Sequence, residues 1–283
     1  MTQTAPEPKT PADPRASDAP RQDENFFVFL IKLVAIVAIF RSFFFSPFNI
    51  PSESMLPRLV NGDYLLAAKW PYGFSRYSLP FSLPLIPGRI LAHQPHRGDV
   101  VIFKAPPSND QDWIKRVIGL PGDTIQMVNG VLQINGKPVP KVRVPDFEIA
   151  VSPNTSCYQP RYQSGIHYEV TLPDGRHVCR YPQFRETLPE GKQYNVLDLE
   201  QTPQDTTPPY LVPEDTLFLM GDDRDNSMDS RFSTLEGGIG FVPQGNLVGR
   251  ATIVMWSTDG SMVWYEPWTW FTSGRYSRIG GLF

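Results

Sequence analysis

The sequence has few of the residues that usually bind metal ions, with two cysteines and four histidines in 283 residues. Two cysteines cannot form an ordinary four-ligand zinc site without help from those few histidines. The sequence also lacks an excess of basic residues, because its formal net charge is −3. The electrostatic signature of a nucleic-acid-binding protein is therefore missing, and we expect no nucleic-acid partner.

Proline, in contrast, is abundant. The chain contains 30 prolines, roughly twice the usual share of about 5%. Proline interrupts helices, so the composition excludes a helical bundle or a helical repeat protein. Hydrophobic residues make up 41% and charged residues 19% of the chain, which excludes both a disordered chain and a polytopic membrane protein.

The first 45 residues fall into two contrasting parts. Residues 1–25 contain five prolines and no aromatic residue, which predicts a solvated tail. Residues 26–40 are apolar except for Lys32, and extension to Phe45 gives a helix of about 30 Å, the thickness of a bilayer core. We predict an uncleaved transmembrane anchor over residues 26–46. A cleaved signal peptide and a buried core helix are the alternatives, although residues 41–45 offer no small-residue cleavage site.

The rest of the chain has the pattern of antiparallel β-structure. The pairs Asn129-Gly130 and Asn135-Gly136 separate short β-type runs, which is typical of a meander, and residues 168–178 resemble another hairpin. Further predicted strands cover residues 99–104, 113–118, 216–220 and 251–256. The proline-rich stretch 182–213 is predicted to be an irregular connection.

Three short blocks contain candidate catalytic residues. In the first, residues 50–57, Ser52 and Ser54 lie between Pro51 and Pro57. The prolines stiffen the backbone and keep it out of a helix. A serine held on such a segment is a plausible nucleophile, although serine–proline loops are also common without any catalytic role.

The second block, residues 112–123, contains a lysine in an apolar strand. If residues 113–118 form a strand, Lys115 shares a face with Trp113 and Val117. Burial disfavours the charged form of lysine, and a neutral lysine is a general base. The alternative is that Lys115 lies at an edge with its ammonium group in water.

The third block, residues 221–232, is polar and follows the apolar run 217–220. A surface turn is one alternative. A calcium-binding loop is another, but the closing glutamate twelve residues from its start is missing. We therefore favour a buried polar network that positions other groups.

Together these blocks resemble type I signal peptidase, a bacterial serine protease family with a Ser-Lys dyad. The matching motifs are Pro-Ser-x-Ser-Met after an N-terminal anchor, Ile-Lys-Arg-x-Ile-Gly-Leu-Pro-Gly-Asp, and Gly-Asp-x-Arg-Asp-Asn-Ser-x-Asp-Ser-Arg. They occur in the family's order, and residues 97–103 and 241–251 match further blocks, so that the resemblance covers about residues 48–257. Glu53 and Asp223 depart from it, since the family often has glycine and asparagine there. Glu53 implies that this position needs no positive φ.

The resemblance implies a role for each motif residue. Ser54 is expected to be the nucleophile and uncharged Lys115 its general base. The Ser52 hydroxyl and the Ser54 backbone N–H are expected to form the oxyanion hole. Ser227 is expected to hold the Lys115 ammonium group, while Asp229 and Arg231 form a supporting ion pair. No metal or cofactor is required.

The resemblance also implies a substrate. Signal peptides of secretory preproteins are expected to bind as an added strand, with the residues at −1 and −3 on one face. Shallow pockets there would select Ala-x-Ala sequences. The positions similar to the family's pocket residues, which ordinary core packing would also explain, are Phe48, Ile50, Pro51, Met55, Leu59, Leu65, Trp113 and Ile114.

By the same resemblance, the protein lies in the bacterial inner membrane with a cytoplasmic N-terminus and a periplasmic catalytic body. The lipid bilayer is then a partner, and the protein-export translocon is a further candidate. An oxidising compartment makes a Cys157–Cys179 disulfide reasonable, with two reduced buried cysteines as the alternative. Aromatic residues at 43–48, together with Trp264, Trp268, Trp270 and Phe271, suggest contact of the body with lipid, although packing within the protein is the other explanation.

These inferences combine into one expected architecture. We predict a mainly β fold: an antiparallel β-sheet catalytic core (residues 47–123 and 216–283), an inserted second β domain (124–215) and one transmembrane helix. The predicted activity is that of a serine endopeptidase. Three alternatives remain: a LexA-like Ser-Lys autoprotease, a catalytically inactive anchored adaptor, and a relative that processes one dedicated substrate.

Overall fold

The computed structural model describes residues 25–263 and 265–283. The predicted tail therefore lies outside the described residues apart from Asn25, and so does Trp264.

The N-terminal apolar run forms helix α1, Phe26–Phe43. No proline or glycine interrupts it, and Ser42 is its one buried residue. With 18 residues and a mean hydropathy of 2.3, the helix is long and apolar enough to cross a membrane. Helix α1 ends three residues before the predicted anchor boundary at residue 46, because the chain becomes extended from Phe45, where Pro47 and strand pairing replace the helix.

The described part of the chain contains one further α-helix, α2 (Pro267–Thr272), and seventeen strands. In chain order, the strands are β1 Phe45–Asn49, β2 Asp63–Ala68, β3 Phe74–Ser75, β4 Arg89–Ile90, β5 Val100–Lys104, β6 Asp112–Gly119, β7 Thr124–Val128, β8 Val131–Ile134, β9 Lys137–Pro138, β10 Lys141–Ala150, β11 Glu169–Thr171, β12 His177–Thr187, β13 Gln193–Leu197, β14 Tyr210–Leu211, β15 Thr216–Met220, β16 Val242–Pro243 and β17 Leu247–Ser257.

The main sheet has seven strands in the order β1-β2-β17-β5-β6-β15-β16. Its pairings are all antiparallel, which confirms the predicted mainly β, antiparallel fold. The four strands predicted outside residues 124–215 all occur, with ends shifted by up to four residues. Strand β6 is buried from residue 114 to residue 119, because β5 and β15 cover both of its edges.

Residues 124–215 form two sheets of their own. One has the order β14-β7-β8-β9, and in the other β12 pairs with β10, β11 and β13. The predicted meander is confirmed: Asn129-Gly130 and Asn135-Gly136 connect its strands, and all four residues have positive φ.

The prediction that residues 182–213 are irregular is wrong, because β12 continues to Thr187 and β13 follows it. Pro182 fits inside β12 at a bulge, where the register with β10 shifts between Val144 and Phe147. A bulge removes the need for the ladder hydrogen bond that proline cannot donate.

One hydrophobic core crosses the predicted boundary between the catalytic core and the inserted segment. Ile118 and Phe218 of the main sheet pack in the same buried cluster as Ile125, Leu132 and Val212. Residues 38–283 accordingly form one compact unit. Residues 124–215 therefore form sheets of their own but share a hydrophobic core with the main sheet. This core includes Ile118 of β6, the strand that carries Lys115.

Candidate active site

The segment that carries Ser54 links β1 to β2 and is fixed at several points. The Ile50 N–H donates to the Asp63 carbonyl at 2.8 Å, and the Leu59 N–H donates to the Met55 carbonyl at 2.8 Å. Met55 and Leu59 are fully buried beneath the segment. Ser54 itself is buried, with 8% of its surface exposed, so its hydroxyl is held on a rigid backbone. The φ angle of Glu53 is not positive, as expected for a residue that carries a side chain.

Lys115 reaches this serine from the neighbouring strand β6. Its Nζ donates a hydrogen bond of 2.5 Å to Ser54 Oγ. The predicted sharing of a strand face is visible in the side chains, because Nζ lies 5.6 Å from the centre of the Trp113 ring. Only 4% of Lys115 is exposed, which excludes the edge position considered from the sequence.

Burial determines the charge state of Lys115. Loss of hydration lowers the pKa of its amine to about 8, against the opposing effect of the carboxylates of Asp229, Asp222 and Asp223. A substantial neutral fraction therefore exists near neutral pH, whereas an ordinary lysine has about 0.1%. A neutral amine in hydrogen-bond contact with a serine hydroxyl can accept its proton.

The polar loop 221–232 packs behind this pair. Asp229 and Arg231 form a fully buried ion pair, with Arg231 Nε donating to Asp229 Oδ1 at 2.9 Å and Nη2 to Oδ2 at 3.0 Å. Burial alone would raise the pKa of the Asp229 carboxyl, but Arg231 and the Gly221 N–H outweigh it and lower the pKa. The Gly221 N–H donates to Asp229 at 3.0 Å, so the ion pair holds the start of the loop.

Ser52 and Ser227 are placed differently with respect to the pair. Ser52 Oγ lies 3.5 Å from Ser54 Oγ, within weak hydrogen-bond distance. Ser227 Oγ is buried and has no hydrogen-bond partner among the described residues. The predicted bond from Ser227 to Lys115 is therefore not formed, because the Lys115 amine is directed to Ser54.

A cleft of about 470 Å³ opens in front of Ser54 and Lys115. Five of the eight predicted pocket residues line it, namely Phe48, Ile50, Pro51, Trp113 and Ile114. The other three, Met55, Leu59 and Leu65, have no exposed surface and lie in the core that includes Ile50 and Ile114. They support the cleft from below and do not line it.

Sequence reasoning missed other residues of the cleft wall. Ile102 enters it because β5 pairs with β6 and places Ile102 opposite Ile114. Asn226 and Met228 enter from the polar loop. Strand pairing could have indicated Ile102, but no local pattern distinguishes Asn226 or Met228 from the other loop residues.

Comparison with protein families identifies the family of this chain. The model of the family described as signal peptidase, peptidase S26, matches residues 24–256. The chain belongs to this family. Membership identifies it as a serine endopeptidase. The N-terminal apolar helix fits a membrane anchor.

Individual members of the S26 family are similar over most of their length. Signal peptidase I of Rickettsia typhi is 32% identical over 279 residues, which cover 92% of each chain. Signal peptidase I of Rickettsia akari is 34% identical over 235 residues, or 80% of this chain and 77% of the relative. A crystal structure of a signal peptidase I from Enterococcus faecalis matches with a TM-score of 0.27 and 22% identity, over 56% of this chain and 97% of the other.

Asp223, the second departure from the motifs, lies directly behind Ser54. Its N–H donates to the Ser54 carbonyl at 3.2 Å. Its carboxyl is fully buried, and Oδ1 has no partner among the described residues. Burial, together with Asp225 and Glu53, raises the pKa of this carboxyl well above its usual range. A protonated aspartic acid has the charge and nearly the shape of asparagine, the residue expected here from the sequence resemblance.

Three further sets of residues bear on the predicted chemistry. Cys157 and Cys179 form a disulfide, with Cα atoms 5.3 Å apart. The four histidines do not line the described cleft. The carboxylates of Asp198, Asp205 and Asp225 lie within 4.8 Å of one another, but Lys141 pairs with Asp198 and two backbone N–H groups donate to Asp225. These internal partners account for the acidic cluster.

Proposed function

We propose that this protein is a membrane-anchored endopeptidase that removes signal peptides from exported preproteins, with Ser54 as nucleophile and Lys115 as general base. The contact of 2.5 Å between Lys115 Nζ and Ser54 Oγ carries the proposal. It joins the two groups that a Ser-Lys mechanism requires, in a site where burial lowers the pKa of the amine to about 8.

The proposed reaction has two proton-transfer cycles at the same amine. Ser54 Oγ attacks the carbonyl carbon of the scissile peptide bond, and its proton moves to Lys115 Nζ. The ammonium group then gives this proton to the leaving amine, which departs and leaves an acyl-enzyme. Water, deprotonated by Lys115, attacks the ester, and the proton returns to Ser54 as the acid product leaves. Ser52 Oγ–H and the Ser54 N–H donate to the oxyanion in each tetrahedral intermediate.

The cleft supports selection of small side chains. A preprotein bound in extended conformation points its residues at −1 and −3 to the same side. We propose that this side faces the wall formed by Phe48, Ile50, Trp113 and Ile114. Large apolar side chains form this wall, which supports cleavage after Ala-x-Ala, where both residues in contact with it are small.

The anchor and the family membership together support a proposed location. Helix α1 spans the inner membrane, with the N-terminus in the cytoplasm and the catalytic body in the periplasm, where the Cys157–Cys179 disulfide is stable. Secretory preproteins are then presented at the same membrane surface, and the lipid bilayer and the export translocon are the proposed partners.

The decisive experiment is cleavage of a purified Ala-x-Ala preprotein by the full chain in detergent. Ser54→Ala and Lys115→Ala should abolish cleavage, while Ser108→Ala and Lys137→Ala, at exposed positions, should retain it. Circular dichroism should show all four variants folded. Turnover by Ser54→Ala above a no-enzyme control would exclude the proposed nucleophile, and an inactive folded parent would favour the dedicated processor or the inactive adaptor.

A further inference from the structure

A second cavity, of about 490 Å³, lies where the sheet of β10–β13 meets the segment that carries Ser54. Strand β6 separates the two sites, because Lys115 points to the cleft and Arg116, the next residue, contributes to the second cavity. The other lining residues are Pro57 and Arg58, residues of β10, β12 and β13, Lys192 just before β13, and Phe283. The proposed peptidase mechanism uses none of these side chains.

The described lining of this cavity contains four cationic side chains and no acidic one. The four are Arg58, Arg116, Arg185 and Lys192. Uncharged hydrogen-bonding groups, those of Gln183, Gln193, Tyr194 and Asn195, occupy much of the remaining wall. This combination of positive charge and amide groups is suited to an anion with several oxygen atoms.

Two of the four cations are neutralised within the protein. Arg116 forms a buried two-point ion pair with Asp222, at 2.7 and 2.5 Å. Lys192 Nζ lies 3.6 Å from Asp99 Oδ1. These residues still contribute positive potential at the wall, but each has an acid that balances it.

Arg58 and Arg185 have no such acid among the described residues. Arg58 stacks on the Phe283 ring, with its guanidinium carbon 5.1 Å from the ring centre. Arg185 Nε donates to Asn195 Oδ1 at 3.2 Å, and this acceptor is neutral. Burial and the positive charges of Arg116 and Arg278 lower the pKa of Arg58, against the opposing effect of Asp222.

We infer that this cavity binds a phosphate-bearing anion, held by the guanidinium groups of Arg58 and Arg185. Guanidinium groups bind phosphate oxygens in pairs, and two such groups with free donor capacity face one space here. The cavity is several times larger than an inorganic phosphate and includes the apolar side chains of Pro57, Phe147 and Phe283. It therefore accommodates a diphosphate or the headgroup of an anionic phospholipid. This inference does not depend on the proposed peptidase activity.

Calorimetric titration of the full chain in detergent with sodium pyrophosphate tests the inference. The parent should bind with a measurable dissociation constant, and Arg58→Gln/Arg185→Gln should weaken binding at least tenfold. The matched control is Lys137→Gln/Arg176→Gln, which removes two exposed positive charges outside the cavity and should bind like the parent. Equal affinity of all three proteins, or an equal heat signal from sodium chloride at the same ionic strength, would overturn the inference.

A competition experiment then distinguishes the two sources of phosphate. Short-chain phosphatidylglycerol should displace pyrophosphate from the parent if the natural ligand is a lipid headgroup, whereas short-chain phosphatidylcholine should not. If pyrophosphate alone binds and phosphatidylglycerol does not displace it, a soluble phosphate compound is the ligand. If neither pyrophosphate nor phosphatidylglycerol binds to the folded parent, the inference is wrong.

Discussion

Glu186 and Arg224 join the sheet of β10–β13 to the polar loop behind Ser54 and Lys115. Arg224 Nη1 donates to Glu186 Oε1 at 2.8 Å and Nη2 to Oε2 at 2.6 Å, and both side chains are buried. The Tyr194 hydroxyl donates to Glu186 at 2.7 Å. Arg224 in turn donates to the carbonyl of Gly221, where the loop begins. The sheet of β10–β13 thus supports the loop that positions the neighbours of Lys115.

Glu186→Gln should therefore destabilise the protein strongly. It leaves the Arg224 charge buried without its counter-ion, which costs about 3–5 kcal/mol in comparable pairs. Glu148→Gln is the matched control, because Glu148 pairs with Arg180 on the neighbouring strands with 45% and 38% of the side chains exposed. An exposed pair contributes at most about 1 kcal/mol. Urea unfolding measures both variants, and similar losses of unfolding free energy would contradict the assigned role of Glu186.

The activity should increase with pH through about 8. In the proposed mechanism only the neutral amine of Lys115 accepts the Ser54 proton, and burial lowers the pKa of that amine to about 8. Below about pH 7 kcat/KM should therefore rise nearly tenfold per pH unit, and it should level off above about pH 9. Lys69 provides a control, since burial lowers its pKa to about 8 as well. Lys69→Met should keep the same pH midpoint, and a shifted midpoint in that variant would assign the titration to Lys69.

The sequence predicts the catalytic pair better than its surroundings, for a physical reason. Ser54 and Lys115 lie in short motifs whose local stiffness and apolar neighbours are visible in the chain. Ile102 joins the cleft only through the pairing of β5 with β6, and Glu186 meets Arg224 across 38 residues of chain. Such contacts depend on which strands pair. The end of helix α1 was likewise set by the pairing of β1 with β2, and the apolar run gives no sign of that pairing.

Ser52→Ala should slow the reaction without removing the nucleophile. Ser52 Oγ lies 3.5 Å from Ser54 Oγ, and we propose that its hydroxyl donates to the developing oxyanion. Loss of one such donor lowers kcat by about 10²–10³. The effect should appear in kcat with little change in KM, because the donor acts on the transition state. Ser52→Thr should restore part of the rate, and an unchanged kcat in Ser52→Ala would remove the residue from the oxyanion hole.

Replacement of the adjacent residues Asp222 and Asp223 by asparagine should change the stability of the protein in opposite directions. Asp223 has a pKa well above its usual range because it is buried, so the folded state retains a proton that the unfolded state releases. The folded state therefore loses stability as pH rises above about 4, by about 1.4 kcal/mol for each pH unit until the raised pKa is reached. Asp223→Asn removes this loss and should be more stable than the parent at pH 7.5 and equal to it near pH 3.

Asp222→Asn should do the reverse, because Asp222 neutralises Arg116 through two hydrogen bonds in the protein interior. Its removal leaves a buried guanidinium without a counter-ion, with an expected loss of about 3–5 kcal/mol at pH 7.5. Urea unfolding of both variants at pH 7.5 provides the comparison, and each serves as the control for the other. If Asp223→Asn lost as much stability as Asp222→Asn, the prediction would be wrong. Asp223 would then be an ionised carboxylate with a partner, and not a protonated acid that resembles asparagine.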